Sequence, residues 1–186
     1  LDRRLYIEQS RSWVSLDKLS RDLEYSPSHD FVEDLVKIPF FDYDLCDFDK
    51  HATNFNAHTS LHSAAKERLE QSQRSFHVMT SRGCPFLCTF CASHKTHGRS
   101  MRYHSLERVR SDISKLINSY GAGTIVFQDD HLMADRTRVE AILDMIKEFG
   151  VESLYQNGLT LYALDREMLH KFYDAGVRHL VLPVES

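Results

Sequence analysis

From residue 76 onward the chain alternates short apolar, β-rich runs with amphipathic helical stretches. That alternation restricts the fold more than any other feature, because strands separated by helices pair in parallel through crossovers that are right-handed. Residues 76–80 read as the first strand. A helix over 105–120 places Leu106, Val109, Ile113, Leu116, Ile117 and Tyr120 at helical spacing, with Ser105 as its cap and Gly121 as its stop. Residues 124–128 are a second strand. A second helix carries Val139, Ile142, Leu143, Ile146 and Phe149 and stops at Gly150. The third strand lies within 153–160. The third helix follows Asp165 as N-cap, is expected to bury Met168, Leu169 and Phe172, and stops at Gly176. A fourth strand is expected over 179–184, with Pro183 near its end or at an edge, since proline cannot donate to a ladder. The expected fold class is therefore α/β, built of parallel βα repeats with four strands and three helices.

Between the first strand and the first helix lies Arg82-Gly83-Cys84-Pro85-Phe86-Leu87-Cys88-Thr89-Phe90-Cys91, a Cys-x3-Cys-x2-Cys run holding three of the chain's four cysteines. Three thiolates on one short loop can hold three irons of a cubane cluster and leave the fourth iron open to a small molecule. Two blander readings compete. Structural zinc takes four ligands, and His94 or His97 could complete a Cys3His set. Disulfides fit poorly, because the cysteines crowd one loop and the distant Cys46 is the remaining thiol. Cys46 itself reads as a packed or half-exposed thiol.

The residues after each strand are polar. Asp129, Asp130 and His131 follow the second strand, Asn157-Gly158 lies in the third, and Glu185-Ser186 follow the fourth. Ligands of parallel α/β folds bind at the carboxyl ends of the strands, so these groups and the cysteine loop should share one face. Singly, each could be a loop polar or a helix cap, and Asn157-Gly158 could be a hairpin turn.

At 186 residues, 42% hydrophobic and 11% aromatic, the chain can bury a core. A net charge of −4, from 23 basic and 27 acidic residues, gives no support for broad nucleic-acid binding. No apolar run approaches the roughly 18–20 residues that span a membrane. The first residues, Leu1-Asp2-Arg3-Arg4, are charged and no apolar leader follows. Clustered thiols without an export signal point to a reducing, cytoplasmic setting.

The cysteine loop resembles the cluster loop of radical S-adenosylmethionine (radical SAM) enzymes, and Phe90 before the last cysteine fits that pattern. The resemblance extends over residues 74–186. Gly98-Arg99-Ser100-Met101-Arg102-Tyr103 is similar to the basic stretch that follows the cluster loop. Phe127-Gln128-Asp129-Asp130 lies where other members carry Gly-Gly-Glu against the amino group of SAM. Tyr155-Gln156-Asn157-Gly158-Leu159 and Val184-Glu185-Ser186 resemble the cobalamin-dependent subgroup, with Gln156 in place of a proline and Glu185 where the family often meets the SAM ribose.

The resemblance implies the first half of a partial TIM-type barrel, truncated after the fourth strand. It implies a [4Fe-4S] cluster on Cys84, Cys88 and Cys91, and SAM held with the help of Phe90, Asp129, Asp130 and Glu185. Reductive cleavage of SAM would start radical chemistry, with electrons from a donor such as flavodoxin or ferredoxin. Cobalamin is implied by way of an upstream domain absent from the chain. Residues 1–73 are then a mixed linker. Within it Ile38-Pro39-Phe40-Phe41-Asp42-Tyr43-Asp44-Leu45 resembles the joint to a cobalamin-binding domain, with Trp13 and Leu16 packing near it. His51, His58 and His62 read as solvated. The competing reading is a non-catalytic module built on zinc or an iron–sulfur cluster.

Overall fold

A computed structural model of the chain describes residues 16–21, 31–45 and 74–184, the first of these segments largely as backbone. Five strands are described: β1 (Ser75–Val78), β2 (Ser81–Arg82), β3 (Arg102–Tyr103), β4 (Thr124–Phe127) and β5 (Glu152–Tyr155). The helices are α1 (Leu16–Arg21), α2 (Ser93–Thr96), α3 (Leu106–Tyr120), α4 (Arg136–Phe149) and α5 (Arg166–Asp174).

The main sheet has the order β1-β4-β5 and is parallel throughout, with Phe76 opposite Ile125 and Val126 opposite Leu154. Alternate residues of a strand face opposite ways. Phe76, Ile125, Phe127 and Tyr155 accordingly enter one core with Val109, Ile113 and Leu116 of α3, Val139, Ile142 and Ile146 of α4, and Met168 and Phe172 of α5. Phe127 stacks on Tyr155, which meets the edge of Phe172. Val126, equally buried, points to the other face of the sheet.

The helix boundaries follow local chemistry. Ser105, Asp135 and Asp165 each accept a hydrogen bond from the backbone N–H three residues on, which caps α3, α4 and α5. Gly121 and Gly150 end α3 and α4 in the left-handed conformation.

Two expectations are corrected. Residues 179–184 form no strand. Their one described backbone bond to the sheet side is Leu159 N–H donating to the Val181 carbonyl at 2.9 Å. Pro183 has no N–H to give, and its ring rests against Gly158, where an added Cβ would come within 2.8 Å of Cδ. Among the described residues the parallel sheet thus has three strands and no closed barrel. Leu169, expected in the core, is 43% exposed, while Met168 and Phe172 are buried as their helical spacing requires.

The 31–45 segment packs against α3 and β1. Phe40 and Tyr43 pack on Tyr120, and Tyr43 meets Phe76 edge-on. Arg108 of α3 donates to the carbonyls of Val36 and Ile38. Leu16 is exposed rather than packed near this segment, and Trp13, Cys46, His51, His58 and His62 lie outside the described residues.

Candidate functional site

The parallel ladders put the carboxyl ends of β1, β4 and β5 at one end of the sheet. The cysteine loop leaves from β1 there, Asp129 and Asp130 leave from β4, and Asn157 leaves from β5. Asn157 Nδ2 donates to the Gln128 carbonyl at 2.9 Å, which ties the ends of β4 and β5 together. Gln128 Nε2 reaches Gln156 Oε1 at 2.8 Å and His77 Nδ1 at 2.9 Å, so a row of polar side chains crosses the sheet. The Asn157-Gly158 pair is not a hairpin turn, since β5 ends at Tyr155 and a single 3-10 turn over Leu161–Ala163, not a strand, follows it.

The loop is a closed excursion. β2 and β3 form an antiparallel ribbon, Ser81 opposite Tyr103 and Arg82 opposite Arg102, that pins residues 83–101 at their base. Cys84 N–H donates to the Gly98 carbonyl at 3.2 Å. Gly83 has φ +99°, and a Cβ there would overlap the Ser100 carbonyl oxygen, so only glycine fits the entry to the loop. Arg102 donates to the carbonyls of His97 and Val32 and lies over the Phe31 ring. Arg99 holds the Phe86 carbonyl at 2.6 Å. The basic stretch after the cysteines thus serves as scaffolding for the loop.

Cys84, Cys88 and Cys91 are all free thiols of intermediate exposure. Burial pushes the Cys84 thiol up, a backbone bond at Phe86 opposes this, and Asp130, Cys91 and Cys88 push further in the same direction. Cys91 Sγ lies 3.4 Å from Ser93 Oγ at the start of α2. Among the described residues no group of three or more His, Cys, Asp or Glu side chains gathers tightly enough for a single metal ion. A zinc site requires that convergence. A cubane offers each thiolate its own iron.

Asp130 and Asp129 face different surroundings. Asp130 Oδ2 lies 2.6 Å from His97 Nδ1, a contact that joins the end of β4 to the end of the cysteine loop. That bond uses Nδ1 of His97, one of the two candidate fourth zinc ligands with His94, and leaves its Nε2 open. Asp129 is only 3% exposed, and its carboxylate accepts from Thr80 and Ser81. Its carboxylate is turned inward, away from solvent. Phe90 is 72% exposed at the loop's tip, beside Leu87 at 74%. Glu185 lies outside the described residues.

Sequence reasoning missed an aromatic wall beside the loop. The ring of Phe86 packs 4.8 Å from that of His131 and 6.2 Å from that of Tyr162, centroid to centroid, while Thr160 bonds His131. Nothing local in the sequence pairs these positions. A cavity of about 800 Å³ also opens between the 38–45 segment, α3 and the end of β1, with Tyr43, Val109, Arg82, His104 and Gln128 in its wall.

The fold and site together define a parallel α/β protein with a three-thiol loop at the carboxyl ends of its strands. The sequence profile of the radical SAM superfamily matches residues 78–186, and the chain belongs to that family. An uncharacterized methyltransferase of Pyrococcus horikoshii is 28% identical over 86% of this chain and 31% of its own length. Cytidylyl-2-hydroxyethylphosphonate methyltransferase of Streptomyces wedmorensis is 28% identical over 59% of this chain and 20% of its own. The anaerobic magnesium-protoporphyrin IX monomethyl ester cyclase of Cereibacter sphaeroides is 31% identical over 57% and 18% respectively. The chain spans less than a third of the length of these relatives.

Proposed function

We propose that this chain is the cluster-bearing part of a radical SAM enzyme, with Cys84, Cys88 and Cys91 holding three irons of a [4Fe-4S] cluster and SAM taking the fourth. The observation that carries this is the three-thiol loop, pinned by the β2–β3 ribbon at the carboxyl edge of a parallel sheet. When bound, such a cluster supplies the electron that breaks a carbon–sulfur bond of the SAM sulfonium. The protein's own part is positional. Gly83 lets the backbone turn into the loop, and the ribbon holds the loop's ends together. Phe90 offers an exposed aromatic face to the adenosyl group. Asp130, hydrogen-bonded to His97, leaves the end of β4 on the side of the sheet from which the cysteine loop departs and would offer its carboxylate to the SAM amino group. Glu185 is assigned to the SAM ribose on the Val184-Glu185-Ser186 resemblance alone.

The reaction class we favour is methyl transfer, because two of the three relatives above are named as methyltransferases. The subgroup resemblance at residues 155–159 and 184–186 supports cobalamin as a further cofactor and residues 1–73 as the joint to its domain. A flavodoxin or ferredoxin is the proposed reductant. No described helix is long and apolar enough to cross a membrane. The test is SAM cleavage by the complete, anaerobically reconstituted protein under a strong reductant, read as methionine and 5′-deoxyadenosine. Replacing any one of Cys84, Cys88 or Cys91 by alanine should abolish the products, and Cys46→Ala should retain them. Cleavage that survives Cys88→Ala would refute the assignment.

A further inference from the structure

We infer that Asp129 is a positioning residue for the cysteine loop: its buried carboxylate fixes Thr80 and Ser81, and through them the path of the backbone into Gly83 and Cys84. The inference rests on the cluster reading above for its consequence, though not for its geometry. Thr80 is the pivot. Its N–H donates to both oxygens of Asp129, at 3.1 and 3.2 Å, and its hydroxyl donates to Oδ1 at 2.8 Å. Ser81 adds its hydroxyl to the same oxygen at 2.5 Å. The Thr80 carbonyl accepts from the His104 backbone N–H at 2.9 Å and from Arg138 Nη2 at 3.0 Å. Thr80 and Ser81 are each only 2% exposed.

Every one of these partners lies outside the cysteine loop. Asp129 comes from the end of β4, His104 from just after β3, and Arg138 from the first turn of α4. A loop that leaves a strand edge would otherwise swing about its first residues. Here the residue where it departs is held from three elements of the α/β frame. Asp129 itself spends its described side-chain hydrogen bonds on this task. Burial raises its carboxyl above the usual range, and the bonds from Ser81 and Thr80 oppose that rise.

The isosteric pair Thr80→Val and Thr80→Ser separates hydrogen bonding from packing. Valine keeps the volume and loses the hydroxyl; serine keeps the hydroxyl. Amide hydrogen exchange over residues 80–84 of the metal-free protein should accelerate about tenfold in T80V and in D129N, as loss of a buried hydrogen bond implies. It should stay near wild type in T80S. Ser81→Ala, which removes a single bond, serves if D129N does not fold. In the reconstituted, reduced protein, T80V should give an altered cluster EPR spectrum and T80S an unaltered one. Unchanged exchange in T80V and S81A would overturn the tether. Faster exchange with an unchanged spectrum would overturn its role in placing the cluster. A wild-type protein without labile sulfide would instead refute the cluster reading, and the exchange data would still decide the tether.

Discussion

At the scale of single residues, the site depends on a few side chains that permit no alternative. Gly83 is one. A side chain there meets both an unfavourable φ of +99° and the Ser100 carbonyl. Gly83→Ala should cost about 1–3 kcal/mol in urea unfolding of the metal-free protein, and iron uptake should fall with it. Asp129 and Asp130 teach a different point. The sequence marks both as polar residues at a strand end, but β4 stops at Phe127 and Asp130 already lies in a turn, so the two side chains leave in different directions. One is therefore turned into Thr80 and Ser81 and the other toward His97 and the loop. Which is which was not legible, because it depends on the strand's rotation against its neighbours. His104 makes a pH prediction. Burial, with Arg108 adding, holds its imidazole below the ordinary value of 6.5. The unfolded chain then binds the extra proton first, so stability is present above that value and is lost as pH falls below it. His77 and His131 are shifted the same way by burial. Urea midpoints between about pH 7 and pH 5 should decline, and less steeply in His104→Gln.

At the scale of elements, legibility tracked the strength of the local signal. The three long helices follow from their periodicity and caps, since Ser105, Asp165, Gly121 and Gly150 act where the sequence places them. Ser105→Ala should lower stability by about 1 kcal/mol, measured as a urea midpoint, because α3 loses one satisfied N–H at its start. The β2–β3 ribbon was not legible. Two residues a side carry no hydrophobic period, and the pairing of Arg82 with Arg102 joins positions on either side of a long loop. The expected fourth strand fails for a reason the sequence contained in part. Proline is awkward within a strand, but the contact that presses Pro183 onto Gly158 is not visible in the sequence.

At the scale of the whole molecule, the parallel sheet gathers the chemistry at one end and the helices cover one face. The first half of a βα frame is sufficient to build the cysteine loop's support, since its anchors, Asp129, His104 and Arg138, all lie within it. The central claim is that this support presents a four-iron cluster. Iron and acid-labile sulfide analysis of the anaerobically reconstituted protein tests it most directly. A brown protein with about four irons and four sulfides per chain is the expected result. A colourless protein with one zinc per chain and no labile sulfide would contradict it.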